Sequence, residues 1–363
     1  MVDEVVLASS LGMLAGAAFL SFLINYLLLR FSRNLGMRQV SDEPILRWGV
    51  TSKPSLGGFS FLIVFLIALA AYGLFPSSRE MFNKELLGLL LACTLGFLIG
   101  LADDTYNTNP LVKFIGQFIC ANILISTGLV IDMTPVYGLN YFITSLWIIG
   151  LMNSINMLDN MDAITAITSV FIIIGAMLMI ILQPDYSSLY LIILTGVLGA
   201  LIGFLYYNWH PSKMYMGDTG SQFLGVFLAG ISLLFFWHFR DPTVEYFQLK
   251  QLVIPALIFI VPLVDTGTVF IRRLARRQSP FVGGKDHITH HLAYLGLSDS
   301  WVAITLGSIS LISVFLLAWV TSLMGQWTFL YSVIGLGYFL FVFILFQILY
   351  NIAQKRAKAK ELT

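Results

Sequence analysis

Asn153-Ser-Ile-Asn156-Met-Leu-Asp159-Asn160-Met-Asp162 is the stretch of this sequence that decides its architecture and its chemistry. It lies at the end of an apolar run, residues 139–158, that is long enough to cross a lipid bilayer. Read as helix, the offsets of three and four place Asn153, Asn156 and Asn160 on one face, with Asp159 beside Asn156. Carboxylates next to a hydrocarbon core are costly, so these acids indicate a functional site.

The composition excludes an ordinary soluble domain. Of 363 residues, 58% are hydrophobic and 11% are charged, which is typical of a polytopic membrane protein. The formal net charge of +1 gives no sign of a nucleic-acid partner, and we expect none. Cys93 and Cys120 lie in apolar runs and are interpreted as buried thiols rather than as a disulfide. The first apolar run is long and follows no basic segment, so it predicts a retained membrane helix.

Eleven apolar segments are long enough to span a bilayer, which takes about 20 residues each. The connecting segments are short, so we predict an all-α, polytopic integral membrane protein in which residues 1–363 form a single transmembrane domain. The predicted spans are residues 5–30, 57–75, 86–102, 111–131, 139–158, 163–182, 187–207, 220–239, 250–272, 300–324 and 328–351.

The distribution of Lys and Arg predicts the orientation in the membrane. Sixteen of the twenty basic residues lie on the side that holds the C-terminus and the loops after spans 1, 3, 5, 7 and 9. The positive-inside rule makes that side cytoplasmic and puts the N-terminus outside. All the candidate site residues described here fall on that side, which predicts a plasma (inner) membrane protein with its chemistry at the cytoplasmic face.

Two further acidic motifs recur at predicted membrane edges. Asp103-Asp104 follows span 3, and Asp218 lies in Met216-Gly-Asp218-Thr-Gly-Ser221 before span 8. A solvated loop pair explains the first motif equally well, and a plain N-cap is the alternative for Asp218. The functional interpretation is that the free N–H groups at the start of span 8 hold a phosphate, while Asp218 holds a cation that bridges to it.

Asn156 and Asp159 are a more specific signal. An amide carbonyl and a carboxylate are hard oxygen ligands that suit Mg²⁺ or Mn²⁺ rather than zinc. Mg²⁺ usually takes one or two protein carboxylates together with substrate phosphate oxygens. Capping of a helix C-terminus is the alternative, but so many polar groups within one and a half turns favour a metal site.

The longest polar loop, residues 272–299, carries a cluster of three histidines, His287, His290 and His291, next to Lys285. No cysteine accompanies them, so zinc is not favoured. Imidazole and ammonium groups can instead donate hydrogen bonds to a pyrophosphate or a sugar.

Other charged and proline residues complete the pattern. Lys53 precedes span 2 beside a pair of glycines, and Lys113 lies one turn into span 4 on the same predicted side. Pro255 and Pro262 predict a kink in the ninth span. Asp265, two residues before Gly267 in that span, either pairs with an arginine or lines the cavity.

Together these motifs resemble those of the polyprenyl-phosphate N-acetylhexosamine-1-phosphate transferases, glycosyltransferase family 4, and above all their N-acetylglucosamine-1-phosphate branch. They run in the family's order from residue 53 to residue 291, and as a set they are highly specific. The matching motifs are Lys53-Pro-Ser-Leu-Gly-Gly58, Asp103-Asp104, Lys113 with Gln117, Asn153 to Asp162, Asn208 with Pro211, Met216 to Ser221, Pro262-Leu-Val-Asp265-Thr and His287-Ile-Thr-His290-His291.

The resemblance implies roles for individual residues. Asp218 and Asn156 are expected to hold Mg²⁺, with Mn²⁺ as a substitute. Catalytic roles are expected for Asp103 and Asp104 at the lipid-phosphate end, for Asp159 near the metal and for Lys113 in balancing phosphate charge. Substrate contacts are expected from Lys53, Asn153, Asp162, Asn208, Lys285, His287, His290 and His291.

The implied reaction transfers N-acetylglucosamine 1-phosphate from UDP-N-acetylglucosamine to undecaprenyl phosphate and releases UMP, as the first membrane step of surface-polysaccharide or cell-wall polymer synthesis. The alternative donors are another UDP-N-acetylhexosamine and UDP-N-acetylmuramoyl-pentapeptide. This chain has His-x-x-His-His rather than three consecutive histidines, which argues against the muramoyl-pentapeptide donor.

A secondary transporter is the alternative of a different class, because broken helices and buried acids occur there too. Transporters place such groups near the bilayer midplane, whereas here they gather at one predicted face, and no inverted repeat is evident. The lipid bilayer is an expected partner, and the aromatic-rich final spans make a homodimer a further expectation.

Overall fold

The computed structural model describes residues 4–32, 53–73, 83–182, 188–237, 248–278, 284, 286–322 and 327–361. This part of the chain is all-helical and contains no β-strand; one isolated β-bridge joins Ser55 to Tyr215. The helices are α1 (Glu4–Ser32), α2 (Gly58–Tyr72), α3 (Lys84–Tyr106), α4 (Pro110–Ser126), α5 (Tyr137–Leu158), α6 (Ile164–Ile181), α7 (Ser188–Asn208), α8 (Gly217–Phe235), α9 (Lys250–Ile258), α10 (Ile260–Ala275), α11 (Ile288–Tyr294), α12 (Asp299–Ser322) and α13 (Phe329–Glu361).

Eight of the described helices are long and apolar enough to cross a membrane: α1, α3, α5, α6, α7, α8, α12 and α13. Helices α9 and α10 are together also long and apolar enough, but the pair is bent by 88°. Helices α2 and α4 are apolar but shorter. The prediction of an all-α, polytopic membrane protein is confirmed.

Helix α8 lies at the centre of the bundle. Of the residues in its most apolar stretch, 89% are buried inside the protein, against 22% for α13. Its core face is aromatic. The rings of Phe223 and Phe227 pack against each other and against Phe65 of α2, with centroid distances of 5.7–6.0 Å. Because α8 begins at Gly217, the core fixes the position of the acid at its N-terminus.

Two glycines let neighbouring helices approach the first turn of α8. A Cβ atom on Gly58 would lie 2.3 Å from the backbone nitrogen of Gly220, and one on Gly100 would lie 2.1 Å from the carbonyl oxygen of Asp218. Gly217 has φ +74°, a conformation that glycine adopts without strain. The starts of α2 and α8 and the end of α3 therefore meet at one place.

The predicted kink of the ninth span is confirmed as the break between α9 and α10. Pro262 has no N–H to donate to the carbonyl of Ile258, and its ring crowds that carbonyl, so α9 ends at Ile258. The hydroxyl of Ser154 on α5 donates to the carbonyl of Pro262 (2.8 Å) and secures the bend. The turn redirects α10, which carries Asp265.

Candidate active site

Four helices contribute to one polar cluster at the N-terminus of α8. Asn156 of α5 donates its amide hydrogens to Asp218 Oδ1 (2.6 Å) and to the hydroxyl of Ser221 (2.8 Å). Lys113 of α4 lies 2.9 Å from Asp103 Oδ2, 3.3 Å from Asn156 Oδ1 and 3.5 Å from Asp218 Oδ2. The structure thus brings together residues from four of the motifs found in the sequence.

Asp103 belongs to the last turn of α3, and Asn107, the residue after this helix, has φ +50°. The backbone N–H and the hydroxyl of Thr108 both donate to Asp103 Oδ1, at 3.0 and 2.6 Å. Asp103 therefore faces the cluster, fixed by Thr108 on one oxygen and by Lys113 on the other.

Asp104 has a different environment from its neighbour. Its Oδ2 accepts hydrogen bonds from the backbone N–H (2.8 Å) and the hydroxyl (2.7 Å) of Thr219. Thr219 is in the first turn of α8, whose N–H groups have no partner within the helix. Asp104 thus acts as a cap for α8 that is supplied by α3, and it fixes the residue next to Asp218.

α5 ends at Leu158, so the prediction that Asn160 continues its helical face is wrong. Asn160 donates its side-chain amide to the carbonyl of Met157 (2.8 Å) and closes the last turn. The chain then turns through Ala163, which has φ +67°. Asp159 and Asp162 therefore belong to a turn rather than to a helix.

Asp159, just beyond α5, lies in the field of the other acids. Burial, and then the charges of Asp218 and Asp104, raise the pKa of the Asp159 carboxyl to about 8. The carboxylates of Asp103 and Asp218 alone exceed the single positive charge of Lys113. Several carboxylates with one amide oxygen are the donor set that Mg²⁺ and Mn²⁺ prefer, so the residues present fit such a cation.

Asn153 lies one turn before Asn156, in a network of amide side chains. Its Nδ2 donates to Gln117 Oε1 (2.9 Å) and to the carbonyl of Ile149 (2.8 Å), and Gln117 Nε2 donates to Gln222 Oε1 (3.1 Å). Gln222 Nε2 is buried and has no hydrogen-bond partner among the residues that the structure describes. The network joins α4, α5 and α8 below the acidic cluster.

A second polar cluster surrounds Asp162. The N–H of Ser212 (3.0 Å) and Nδ1 of His210 (2.9 Å) contact Asp162 Oδ2, and the hydroxyl of Ser212 donates to Oδ1 (2.7 Å). Lys53 lies 3.8 Å from Asp162 and Asp299 lies 3.5 Å from His210. Burial raises the pKa of Asp162, but the Ser212 donors, then His210 and Lys53, outweigh it and lower the pKa below its ordinary value.

Asp162, His210 and Asp299 are close enough together to share a metal ion. However, both oxygens of Asp162 already accept hydrogen bonds, and Lys53 places a positive charge beside them. The cluster is thus an ion-pair network that ties the start of α12 to the turn after α5. Sequence reasoning did not single out His210, Ser212 or Asp299, because their spacing resembles no known ligand pattern.

Both polar atoms of the Asn208 side chain, at the end of α7, form hydrogen bonds with backbone groups. Its Oδ1 accepts from the N–H of Ala163 (3.0 Å), and its Nδ2 donates to the carbonyl of Met214 (3.0 Å). The side chain is buried. Asn208 thus joins the turn after α5 to the segment that leads into α8.

Asp265 pairs with His287 of the histidine segment. Its Oδ2 lies 2.7 Å from Nδ1 of His287, and its Oδ1 accepts from the backbone N–H of Ile288 (2.8 Å). The hydroxyl of Thr289 donates to Asn160 Oδ1 (2.6 Å). The histidine segment is therefore attached both to α10 and to the turn after Asp159.

The side chain of His291 is buried and lies against a backbone carbonyl group. Its Nε2 lies 3.1 Å from the carbonyl of Asp286, and the ring is 2% exposed. Burial and the charge of Arg272 lower the pKa of His291 to about 4, so this imidazole is neutral at pH 7. His290 is also buried, and Lys285 lies outside the described residues.

Comparison with known proteins defines the class. The sequence model of glycosyl transferase family 4 matches residues 86–236. A probable undecaprenyl-phosphate N-acetylglucosaminyl 1-phosphate transferase of Bacillus subtilis is 33% identical over 259 residues, which is 68% of this chain and 67% of the relative. A decaprenyl-phosphate N-acetylglucosaminephosphotransferase of Mycobacterium tuberculosis is 26% identical over 281 residues, 70% of this chain and 69% of the relative.

A third relative extends the match over more of the chain. A phospho-N-acetylmuramoyl-pentapeptide-transferase of Halalkalibacterium halodurans is 28% identical over 335 residues, which is 83% of this chain and 97% of the relative. The chain belongs to glycosyl transferase family 4, and these relatives carry the names of phospho-sugar transferases.

Proposed function

We propose that this protein transfers N-acetylglucosamine 1-phosphate from UDP-N-acetylglucosamine to undecaprenyl phosphate and releases UMP. One observation carries the proposal: Asp103, Lys113, Asn156 and Asp218 converge from four helices at the N-terminus of α8. A helix N-terminus with acids and a lysine beside it suits two phosphate groups and a cation. The name of the Bacillus subtilis relative supports the same reaction.

The reaction joins two anions. An oxygen of the lipid phosphate attacks the β-phosphorus of the donor, a new P–O bond forms, and the bond from the β-phosphorus to the bridging oxygen breaks as UMP leaves. Neutralising charge is therefore the main task of the site. A phosphate monoester loses its second proton near pH 6, so attack at pH 7 needs little help from a base.

The roles of the central residues follow from their contacts. Asp218 and Asn156 would hold Mg²⁺ or Mn²⁺, which supplies positive charge at the donor diphosphate. Lys113 balances phosphate charge, and Asp103 orients the lipid phosphate while it holds Lys113. The raised pKa keeps a proton on Asp159 at pH 7, and this proton would be displaced when a cation binds at the site. Asp104 holds the first turn of α8 in place through Thr219.

The nucleotide is proposed to lie toward Lys53 and Asp162, with His287 and His290 near the sugar phosphates. Lys53 lies over the ring of Tyr215 at 5.1 Å, beside the segment that leads to Asp218. We further assign Asn153, Asn208, His291 and Lys285 to substrate binding or to the shape of the pocket. Of these, Asn208 and His291 act through the backbone groups they bind.

We also propose the arrangement in the membrane. The eight long helices, the bent α9–α10 pair as one span, and the shorter α2 and α4 make eleven spans in a single domain, residues 1–363. The basic residues then put the C-terminus and loop 272–299 in the cytoplasm and the N-terminus outside. The exposed aromatic rings Phe315, Phe329 and Phe341 on the last two helices support a homodimer.

The alternative donor is UDP-N-acetylmuramoyl-pentapeptide. The match to the pentapeptide-transferase covers more of the chain, which favours it, whereas identity is higher to the Bacillus subtilis relative. The His287-Ile-Thr-His290-His291 motif, which is not three consecutive histidines, favours UDP-N-acetylglucosamine.

The test is a donor panel with purified protein, undecaprenyl phosphate and Mg²⁺. UDP-N-acetylglucosamine, UDP-N-acetylgalactosamine and UDP-N-acetylmuramoyl-pentapeptide are each supplied, and UMP release and lipid-linked product are measured with and without EDTA. We expect metal-dependent product with the first donor alone. Product only with another donor would change the proposed substrate, and no product with any donor in folded protein would contradict the reaction.

A further inference from the structure

Arg272 of α10 is a buried arginine outside the acidic cluster; its side chain is 7% exposed. Its Nε donates to Gln347 Oε1 of α13 (3.1 Å), and its Nη1 donates to the carbonyl of Asp286 (3.1 Å). The guanidinium lies over the ring of Tyr350 at 3.8 Å. Burying a guanidinium is costly unless such partners compensate it, so these contacts form one interdependent unit.

Asp286, the residue before His287, is the second component of this unit. Arg273 Nε donates to its Oδ2 (3.1 Å), and Arg276 lies 3.7 Å from its Oδ1. Its carbonyl oxygen receives Arg272 and also lies 3.1 Å from Nε2 of His291. Two arginines of α10 and Arg276, the residue that follows this helix, therefore converge on the residue that begins the histidine segment.

Tyr350 links this unit directly to the histidine segment. Its ring meets the ring of His291 at 4.7 Å and 79°, an edge-to-face contact, and its hydroxyl accepts from Arg276. Tyr350 and Gln347 lie one turn apart on α13, so they face the same side of the helix. Gln347 is a polar residue in the apolar run Phe339–Tyr350, where an unpaired amide would be costly.

We propose that Gln347 and Tyr350 of α13 are positioning residues for the reaction: through Arg272 and Asp286 they hold His287, His290 and His291 in place for the sugar-phosphate donor. The inference rests on the proposed function. In this proposal α13, most of which is not buried in the core, helps to position the groups that bind the donor. The acceptor phosphate, held at the acidic cluster, does not depend on α13.

The variants separate positioning from general packing. Tyr350→Ala removes the ring beneath Arg272, whereas Tyr350→Phe keeps the ring and loses only the hydroxyl. Gln347→Leu leaves Arg272 Nε unpaired. The matched control is Tyr338→Ala, because Tyr338 lies on the same helix about 18 Å away and donates to the carbonyl of Ile309 on α12.

Steady-state kinetics give the first readout. For Tyr350→Ala and Gln347→Leu we expect kcat/KM for the nucleotide sugar to fall about tenfold or more, since small misplacements of positioning groups have effects of that size. The KM for the lipid phosphate should stay within about twofold, and Tyr350→Phe should restore most of the activity. Equal losses for Tyr338→Ala, or equal changes in both KM values, would overturn the proposal.

A readout without turnover keeps this test separate from the proposed function. Diethyl pyrocarbonate modifies accessible imidazoles, and His287, His290 and His291 are only 2–5% exposed. Quantified by peptide mass spectrometry, their modification should rise in Tyr350→Ala and remain low in Tyr350→Phe and Tyr338→Ala. Unchanged protection in Tyr350→Ala would overturn the inference even if the enzyme transfers the proposed sugar. Raised modification in an enzyme without transferase activity would contradict only the proposed function.

Discussion

Asp218 is held on two sides, by the amide of Asn156 at 2.6 Å and by Lys113 at 3.5 Å. The change Asp218→Asn keeps the shape of this group and removes its charge. We predict a loss of kcat of about 100-fold or more, since removing one preorganised electrostatic group costs that much. UMP release by purified protein measures it.

Asp132→Asn is the matched control for that substitution. Asp132 accepts a hydrogen bond from Asn140 near the start of α5, at the opposite end of the helix from the acidic cluster. We expect its kcat to stay within about twofold of wild type. A similar loss in both variants, or full activity in Asp218→Asn, would contradict the assignment of Asp218 to the cation.

The pKa of about 8 at Asp159 predicts a pH dependence of stability. The unfolded carboxyl titrates near pH 4, so between about pH 4 and 8 the folded protein holds a proton that the unfolded chain has lost. Stability of the metal-free protein therefore falls as pH rises through that window. Melting temperatures in EDTA across pH 5–8 measure it, with Asp159→Asn expected to flatten the slope and Mg²⁺ to reduce it.

For single residues, the sequence pattern identified the acidic side chains of the site but did not distinguish their roles. The spacing of Asn156, Asp159 and Asp218 points to oxygen ligands, and the structure brings Asn156 and Asp218 into contact. Asp103 and Asp104 are adjacent and look equivalent in sequence. Only the packing of α3 on α8 shows that one faces Lys113 and the other caps α8 through Thr219, because that contact spans 115 residues.

Among the elements, the turn after α5 depends on Asn208. We predict that Asn208→Leu lowers the free energy of unfolding by about 2–4 kcal/mol, because the N–H of Ala163 and the carbonyl of Met214 then lose their buried partner. Thermal or denaturant unfolding in detergent measures it.

The control for Asn208→Leu is Asn351→Leu, at an exposed position on α13. Its effect should be within about 0.5 kcal/mol. Equal stability of Asn208→Leu and wild type would show that the amide of Asn208 is not needed to hold the turn.

Sequence pattern predicted the elements unevenly. Pro255 and Pro262 predicted the break between α9 and α10, because a missing N–H has a local effect. The predicted fifth span ends at residue 158, as α5 does, but the helical face drawn through Asn160 was wrong, since Asn160 closes the helix through a side-chain contact that no periodicity encodes. The short helix α11, seven residues held by Asp265 and Asn160, was also missed, because tertiary contacts rather than its own sequence stabilise it.

For the whole molecule, the proposed orientation predicts which positions can be labelled from the cytoplasm. Tyr106 ends α3 and Tyr137 begins α5, and both are well exposed, whereas Cys93 and Cys120 are fully buried. In inverted membrane vesicles an impermeant maleimide should label Tyr106→Cys and not Tyr137→Cys. In intact spheroplasts the result should reverse. The opposite pattern would contradict the orientation.

Hydropathy was sufficient to predict the class of fold, because it follows from the cost of burying polar groups in lipid. It could not predict which helices are central. The small residues that let α2 and α3 meet α8, Gly58 and Gly100, become informative only when the facing backbone is known.

The most direct measurement of the central claim follows two labels from one donor. UDP-N-acetylglucosamine carrying tritium in the sugar and ³²P in the β-phosphate is incubated with undecaprenyl phosphate, Mg²⁺ and wild-type protein or Asp218→Asn. We predict that both labels enter the lipid in a 1:1 ratio with one UMP released, and that the variant loses this transfer. Tritium in the lipid without ³²P, together with release of UDP, would mean transfer of the sugar alone and would contradict the account.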